Sequence, residues 1–262
     1  MHIVVLIKQV PGTDNVKMDP ETGVMIRSGK DTIINPLDEN ALEAAVQIKN
    51  SREDVKLTAV SMGPQSALKA LKEAVAMGAD GGVLLSSRAF AGSDTIATAK
   101  ALSAAIKKLG PVDMVICGER ATDGETGQTG AMIANYLDIP VETYVSAIDA
   151  QDDQVVVKRT VEGGFEKVAV TYPVMLTVNK DINEPGFPTL DGKLKAKEVE
   201  ISVWSEKDLD VDASELGLGG SPTRVVRVFS PKLSRDTIMH NADGTSKPVD
   251  ELMQFLTAKE AL

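Results

Sequence analysis

The sequence predicts an α/β fold in which a mostly parallel sheet continues into an antiparallel extension and a C-terminal arm. Before Pro140, short aliphatic runs alternate with segments of helical periodicity, the order that β-α-β units produce. After Pro140, strand-like segments follow one another with only turn residues between them, which is typical of hairpins. We expect a domain over residues 1–205 and an arm over residues 206–262.

Aliphatic runs define the strands of the parallel part. Ile3–Ile7 is a continuous apolar run, which is typical of a strand buried on both faces. Later runs predict strands at Val55–Ser61, Val83–Leu85 and Met114–Cys117. Capping and breaking residues predict helices at about 37–49, from Pro64 to Gly78, from the cap Ser93 to Gly110, and at Ala131–Leu137. Before the first helix, the turn residues Asp19–Gly23 predict a surface hairpin.

The antiparallel part is predicted from four closely spaced segments. They are Val141–Ile148, Val155–Val161, Phe165–Tyr172 and Val174–Val178, with turns at Asp152-Asp153 and Glu162–Gly164. After the charged segment Lys193–Glu198, Val199–Trp204 predicts one further strand. Residues 206–247 show no strong periodicity, and so long a stretch without structure is improbable in a compact domain. We therefore expect this arm, with a terminal helix at Val249–Ala261, to lie on a partner subunit.

Composition excludes several classes of function. The chain has 262 residues, a net charge of −10 and only one Trp, three Tyr and five Phe. Nucleic-acid binding needs positive grooves and aromatic stacking platforms, so we expect none. No apolar run reaches the roughly 20 residues that span a bilayer, and no secretory signal pattern is evident at the N-terminus. We expect a soluble cytoplasmic protein without membrane contact.

Residues for acid–base or nucleophilic catalysis are scarce. The chain has only two histidines, His2 in the first predicted strand and His240 in the arm, and no Ser-His-Asp or Cys-His set can be proposed. Cys117 ends an apolar run without a basic neighbour, which favours a packing role over a nucleophile. The acidic residues lack the His and Cys spacing of zinc sites. We predict no catalytic residue and no metal site, and a bound cofactor would carry any chemistry.

The loop Gly118–Gly130 is the richest segment of the sequence. Its position between a strand and a helix is where ligands of parallel sheets bind. Gly124, Gly127 and Gly130 allow backbone amides to converge on an anion, and the helix N-terminus adds positive potential. The candidate residues are Gly118, Glu119, Arg120, Ala121, Thr122, Asp123, Gly124, Glu125, Thr126, Gly127, Gln128 and Thr129. The loop is neither a Walker A nor a G-x-G-x-x-G motif, and its acids disfavour a triphosphate. An ordinary flexible loop is the alternative.

Two further strand-end motifs are candidates for the same edge of the sheet. Asn35-Pro36-Leu37-Asp38 precedes the first helix, where Asn35 either caps the helix or helps to present backbone groups to an adenine. Met62 follows the second strand and is either a core residue or a soft contact for a purine face.

Several motifs in one order resemble the β (small) subunit of electron-transfer flavoproteins. The resemblance runs from Ile3 to about Val228. The motifs are Val5–Val10, Asn35–Ala45, Ser61–Pro64, Ala76–Asp80, Gly118–Gly130, Asn183–Leu190 and Lys195–Lys197. Many motifs in a fixed order are far more specific than any one of them.

The resemblance implies an adenine-nucleotide-binding, Rossmann-like domain paired with a larger α subunit that carries the electron-transferring FAD. The implied nucleotide pocket consists of Leu6, Asn35, Pro36, Leu37, Asp38, Met62 and Gly118–Thr129. The implied docking segment for an acyl-CoA dehydrogenase or related enzyme includes Asn183, Glu184 and Pro185, with Leu190 as its apolar anchor. A plain surface loop is the alternative for that segment. A stand-alone nucleotide-binding sensor or hydrolase of similar fold would be a different class.

The resemblance leaves two nucleotides open for the β subunit. Gly219–Val225 and Ser93-Asp94-Thr95 look like the electron-bifurcating type, which binds a second FAD, receives electrons from NADH and also reduces ferredoxin. Gly127–Gly130 and Asn183-Glu184-Pro185 look more like the housekeeping type, which holds AMP while redox chemistry stays on the α subunit. We favour FAD. Arg224 would then approach the flavin or pyrophosphate, or form a surface salt bridge instead.

Overall fold

The computed structural model describes residues 1–12, 32–226, 239 and 244–260, and the hairpin predicted at Asp19–Gly23 lies outside them. The chain divides into two compact units, Met1–Val226 and Arg227–Leu262. The strands are β1 (His2–Leu6), β2 (Gln9–Pro11), β3 (Thr32–Ile34), β4 (Lys56–Met62), β5 (Gly81–Leu85), β6 (Met114–Gly118), β7 (Val141–Ala150), β8 (Gln154–Val161), β9 (Gly164–Thr171), β10 (Val174–Val178) and β11 (Ser202–Trp204). The helices are α1 (Pro36–Ser51), α2 (Leu68–Met77), α3 (Thr95–Lys108), α4 (Thr129–Leu137), α5 (Leu190–Glu198) and α6 (Lys247–Ala258).

One large sheet organises the first unit. Its strand order is β11-β5-β4-β1-β6-β10-β7-β8-β9, parallel from β11 to β7 and antiparallel in β8 and β9. Strands β2 and β3 form a separate antiparallel pair. The α/β class, the parallel sheet and its antiparallel extension are therefore as the sequence predicts.

Helices cover both faces of the parallel strands. Ile3 and Val5 of β1 pack in a cluster with α1 and α2, whereas Val4 and Leu6 pack in a second cluster with α3 and α4. Alternate residues of one strand thus enter opposite cores, which explains why the strand is a continuous apolar run. Both cores are built mainly from aliphatic side chains.

The predicted role of Val174–Val178 is wrong in one respect. The segment is a strand, but it lies in the centre of the sheet and pairs in parallel with both β6 and β7. All five of its residues are buried, because both faces of a central parallel strand are covered by other parts of the protein. Hairpin strands β8 and β9 extend the sheet on the far side of β7, and the chain then returns to insert β10 beside β6.

Several element boundaries differ from those predicted. Asp94, rather than Ser93, caps α3, and α4 begins at Thr129. A short 3-10 turn, Gln65–Ala67, separates Pro64 from α2. The charged segment at 193–198 belongs to α5, which buries only Ala196 and therefore has no apolar periodicity to reveal it. Of the predicted strand Val199–Trp204, only its last three residues pair in the sheet.

The first compact unit continues past the boundary predicted at residue 205. Leu209 and Leu216 are buried in the core cluster that contains α3 and α4, and short 3-10 turns connect them. Residues 206–226 therefore pack on this chain itself. In the second unit, α6 begins two residues before the predicted helix and ends at Ala258. No helix among the described residues is long and apolar enough to span a membrane.

Candidate functional site

A cleft of about 1700 Å³ runs along the carboxyl ends of the parallel strands. It is lined by the residues that follow β6, β1, β4 and β5, which are four consecutive strands of the sheet. Three strand spacings of about 4.8 Å separate β6 from β5, so the cleft spans roughly 14 Å of the sheet edge. It exceeds the roughly 300–1000 Å³ of common small-ligand pockets.

The part of the cleft around β6 and β1, here called the near half, gathers most of the predicted nucleotide residues. Its predicted lining residues are Leu6, Asp38, Met62, Gly118, Glu119, Arg120, Ala121, Asp123, Gly124, Glu125, Thr126, Gly127, Gln128 and Thr129. Asn35, Pro36, Leu37 and Thr122 do not line the cleft. Arg224 is exposed and also lies outside the lining.

The backbone of the near-half loop is shaped for an anion. Glu125 and Gly127 adopt left-handed conformations with φ of 51° and 61°. Within the described residues, the amides of Thr126, Gly127, Gln128 and Thr129 donate no hydrogen bond to the protein. Gln128 provides no side-chain cap for α4, so the positive end of this helix also stays open. Unpaired amides beside an uncapped helix are the arrangement that binds phosphate groups.

Asn35 positions this loop from behind. It occupies the N-cap position of α1, as one alternative predicts, and its carbonyl oxygen accepts from the amides of Asp38 and Glu39, but its side chain makes no capping bond. Instead Nδ2 donates to the carbonyl oxygen of Arg120 at 3.0 Å, and Oδ1 accepts from the amide of Thr122 at 3.1 Å. The side chain is fully buried. Such a paired amide fixes the first turn of the loop, and it needs no ligand to satisfy it.

Asp38 joins the ends of two neighbouring strands. Its Oδ2 accepts from the amide of Lys8 at 2.8 Å and its Oδ1 from the amide of Gly118 at 2.9 Å. Burial raises the pKa of this carboxyl to about 7, although these backbone amides act in the opposite direction. A Cβ at Gly118 would lie 2.7 Å from Asp38 Oδ1 and 2.7 Å from Leu37 Cβ. The close approach therefore requires glycine at position 118.

A salt bridge links strand β1 to the same loop. Lys8 Nζ lies 2.6 Å from Asp123 Oδ1, and the aspartate side chain is only 19% exposed. The lysine thus compensates one of the acids that disfavour phosphate binding in the isolated sequence. This pair joins segments 115 residues apart, so no local pattern could have revealed it.

The part of the cleft beyond β4, here called the far half, was only partly anticipated. It is lined by Ser86, Ser87, Arg88, Phe90, Ala91, Gly92, Ser93, Asp94, Thr95, Thr98 and Leu102, together with Thr223 and Val225. Ser86 and Ser87 follow β5, so their place at the strand ends was readable from the chain order. Arg88 lines the cleft where the sequence had suggested Arg224.

The predicted docking segment lies outside the cleft lining. Asn183 exchanges hydrogen bonds with Asn40 of α1: Asn40 Nδ2 donates to the Asn183 carbonyl at 2.9 Å, and Asn183 Nδ2 donates to the Asn40 carbonyl at 3.0 Å. The start of the segment is therefore fixed to the domain. Glu184 is exposed and Pro185 half-buried. Leu190 is 75% exposed and Phe187 94% exposed, which leaves two apolar side chains in solvent.

The described residues contain no constellation for catalysis by side chains alone. Cys117 is buried, and burial raises the pKa of its thiol. His2 Nε2 pairs with Thr58 Oγ1 at 3.0 Å near the amino end of β1, opposite the cleft. No group of three or more His, Cys, Asp or Glu residues suited to a metal occurs in this part of the chain. What the cleft can do is bind an extended ligand with an anionic part.

Comparison with known proteins identifies the family. The model of the electron transfer flavoprotein domain matches residues 22–209. The "Electron transfer flavoprotein subunit beta" of Thermoanaerobacterium thermosaccharolyticum is 50% identical over 238 residues, 90% of each chain. The "Caffeyl-CoA reductase-Etf complex subunit CarD" of Acetobacterium woodii is 46% identical over 88% of each chain. The "Electron transfer flavoprotein subunit beta" of Megasphaera elsdenii is 43% identical over 100% of each chain. With its parallel sheet and strand-end cleft, the chain thus belongs to the electron transfer flavoprotein family, among the beta subunits.

Proposed function

We propose that this chain binds FAD in its cleft and works with an α subunit that carries a second FAD. In this function, electrons from NADH divide between the α-subunit FAD, which serves an acyl-CoA dehydrogenase-type partner, and ferredoxin. The observation that carries the proposal is the extent of the cleft. The near half alone would suffice for a mononucleotide, yet the whole cleft spans three strand spacings and includes a polar far half.

The near half suits the ADP part of the dinucleotide. The unpaired amides of Thr126–Thr129 and the open end of α4 offer donors to phosphate oxygens. Asn35 and Asp38 hold the loop and the strand ends in place from the protein side. Lys8 neutralises Asp123, so the loop presents less negative charge to a phosphate.

The far half suits the remaining part of FAD. The Ser87 and Thr98 side chains offer hydroxyl groups, Phe90 and Leu102 offer apolar surface, and Arg88 is a cation in the lining. Bound there, FAD would supply the hydride and single-electron chemistry that these side chains lack. The protein's own contribution is to hold the cofactor and set its electrostatic surroundings.

The docking segment supports a protein partner. Phe187 and Leu190 expose apolar side chains on a segment whose beginning is anchored through Asn183. We assign Asn183, Glu184, Pro185 and Leu190 to contacts with a dehydrogenase. The relative from Acetobacterium woodii is named as a subunit of a caffeyl-CoA reductase complex, which favours a CoA-ester-reducing or dehydrogenating partner. The family's small subunits imply pairing with α, and we assign residues 227–262 to that contact.

The second candidate is a housekeeping-type subunit that holds AMP. It is favoured by the completeness of the near half, where loop amides, Asn35 and Asp38 already form a closed set of contacts. In that case electron transfer would use only the FAD of the α subunit. The far half of the cleft would then have no cofactor to hold.

Counting released nucleotides separates the two candidates. The chain is co-produced with its α subunit, the purified complex is denatured, and FAD and AMP are quantified by chromatography. We expect two FAD per complex and no stoichiometric AMP. One FAD and one AMP per complex would overturn the FAD proposal in favour of the second candidate.

A further inference from the structure

The far wall of the cleft is a segment of the chain held by one aspartate. Asp94 Oδ2 accepts from the amide of Thr223 at 3.1 Å and from Thr223 Oγ1 at 3.0 Å. The amide of Asp94 donates to Ser221 Oγ at 2.8 Å. These three bonds join positions about 130 residues apart, and we call them the Asp94 clasp.

Ser221 extends the clasp into the preceding turn. Its hydroxyl donates to the carbonyl oxygen of Gly217 at 2.7 Å, and the side chain is buried. The amide of Leu218 donates to the Ala91 carbonyl at 3.0 Å. A Cβ at Gly217 would lie 2.2 Å from the Ala89 carbonyl oxygen, so this turn packs closely on the residues that follow β5. Residues 217–223 are thus fixed against the far half by both backbone and side chains.

The two oxygens of Asp94 have separate tasks. Oδ1 caps α3 by accepting from the amides of Ile96 at 3.0 Å and Ala97 at 3.1 Å. Oδ2 is not needed for the cap, and among the residues that the structure describes it accepts from Thr223 alone. Capping alone would be satisfied by any of the common cap residues. A second acceptor atom on the cap residue is what allows the same side chain to bind Thr223 as well.

Resting on the proposed FAD site, we infer that Asp94 is a positioning residue for the flavin end of the cofactor. It holds Thr223, which lines the far half together with Val225, so it favours a dinucleotide over a mononucleotide. AMP would occupy only the near half, which contains no member of the clasp. The clasp should therefore affect FAD retention and leave AMP binding nearly unchanged.

The variant Asp94→Asn separates the two tasks. Its amide oxygen keeps the helix cap, because Asn is as good a cap as Asp, while its NH₂ group is a donor that cannot accept from Thr223. Asp212→Asn is the matched control, because Asp212 caps a 3-10 turn through Ser214 and lies outside the cleft lining. Thr223→Val removes only the hydroxyl contact.

The complex with the α subunit is titrated with AMP, and displacement of the second FAD is measured. We expect Asp94→Asn to lower the AMP concentration for half-displacement about tenfold, the equivalent of one charge-assisted hydrogen bond. Thr223→Val should give a smaller shift, and the control none. An unchanged midpoint in Asp94→Asn would overturn the inference.

Amide hydrogen exchange of residues 217–226 tests the clasp independently of the cofactor. We expect faster exchange in Asp94→Asn than in the wild type, and wild-type exchange in Asp212→Asn. If the wild-type complex contains AMP instead of a second FAD, the proposed function fails while this measurement still tests the clasp. Exchange at the wild-type rate in Asp94→Asn would refute the clasp whatever nucleotide is bound.

Discussion

Helices α3 and α4 lie side by side, and the first turns of both border the cleft. Their N-termini differ, because a side chain caps α3 and none caps α4. At α4 the cap residue Gln128 gives no side-chain hydrogen bond, and the preceding amides are unpaired within the described chain. At α3 the carboxylate of Asp94 satisfies the first amides and also holds Thr223. An open helix end can receive an anionic ligand, whereas the capped end of α3 holds a residue that lines the cleft.

The largest expected effect comes from closing the near half. In Gly118→Ala the added Cβ would collide with Asp38 Oδ1 and with the backbone and Cβ of Leu37. Because Asp38 is buried and its Oδ1 accepts from the Gly118 amide, it cannot move away freely, and we expect a loss of about 3 kcal/mol of unfolding free energy together with a loss of bound nucleotide. Chemical denaturation and nucleotide counting measure both. Gly124→Ala is the control, since no atom lies within 4 Å of its added Cβ, and equal losses in the two variants would contradict the explanation.

The next effect tests the buried acid of the near half through pH. Because the folded pKa of Asp38 is raised to about 7 from 3.8, the folded state binds more protons between these values. Its contribution to stability is fully present below the unfolded pKa and is lost as pH rises through the folded pKa. Between about pH 5 and about pH 8, the wild type should lose on the order of 2 kcal/mol relative to Asp38→Asn.

Denaturation of both proteins across that pH range measures this difference. At the acidic end Asp38→Asn should be the less stable protein, because an amide can accept from only one of the two backbone donors that Asp38 serves. Lys8 and Cys117 are the other titratable groups that interact with this carboxyl, and neither changes in the variant. A stability difference independent of pH would show that Asp38 does not titrate in this range.

A smaller effect tests the left-handed backbone of the near-half loop. Gly127 has φ of 61°, where a β-branched side chain is strained by about 1–2 kcal/mol. Gly127→Val should therefore release nucleotide about tenfold faster and lower the free energy of unfolding by about 1–2 kcal/mol. Stopped-flow displacement measures the rate. The control is Gly164→Val, because Gly164 has neither a positive φ nor a close neighbour and lies in the β8–β9 hairpin. If Gly127→Val retains nucleotide as well as this control does, the loop is not part of the binding site.

The smallest effect concerns the surface pair across the near half. Lys8→Met removes the partner of Asp123 and leaves an uncompensated charge in the loop Gly118–Gly130. Partly exposed pairs contribute up to about 1 kcal/mol, so nucleotide affinity should fall by a few-fold at low salt and less at high salt. Lys100→Met, which removes the pair with Glu215, is the matched control. An affinity loss that does not diminish with salt would argue against an electrostatic role.

The parallel part of the fold was readable from sequence because each strand is an unbroken apolar run with a helix between it and the next. Val174–Val178 was recognised as a strand, but its direction and central place were not. The neighbours of a strand depend on where the chain re-enters the sheet. A five-residue apolar run does not show which strands it will pair with or in which direction. Helix α5 was missed because it buries only Ala196 and so has no periodic pattern.

The near half of the site was predicted more completely than the far half. The loop Gly118–Thr129 is a continuous segment with an unusual composition, so its residues could be named together. Arg224 was chosen because it lies in a family motif, whereas Arg88 only follows a predicted strand. The sequence does not show which of the two arginines reaches the cleft. The Asp94 clasp joins Ser93-Asp94-Thr95 to the tail motif, two segments that the sequence could single out but not connect.

The sequence by itself determined the α/β class, the edge of the sheet where the cleft lies and the glycine-containing loop that lines it. These follow from local properties, namely apolar runs, turn residues and glycines at fixed positions. Only the tertiary structure decided that the Asn35 side chain holds the loop instead of bonding to the first turn of α1, that Lys8 meets Asp123, and that Asp94 holds Thr223. Each of these contacts joins residues more than 80 positions apart, and such pairs are set by strand order and packing rather than by any local pattern.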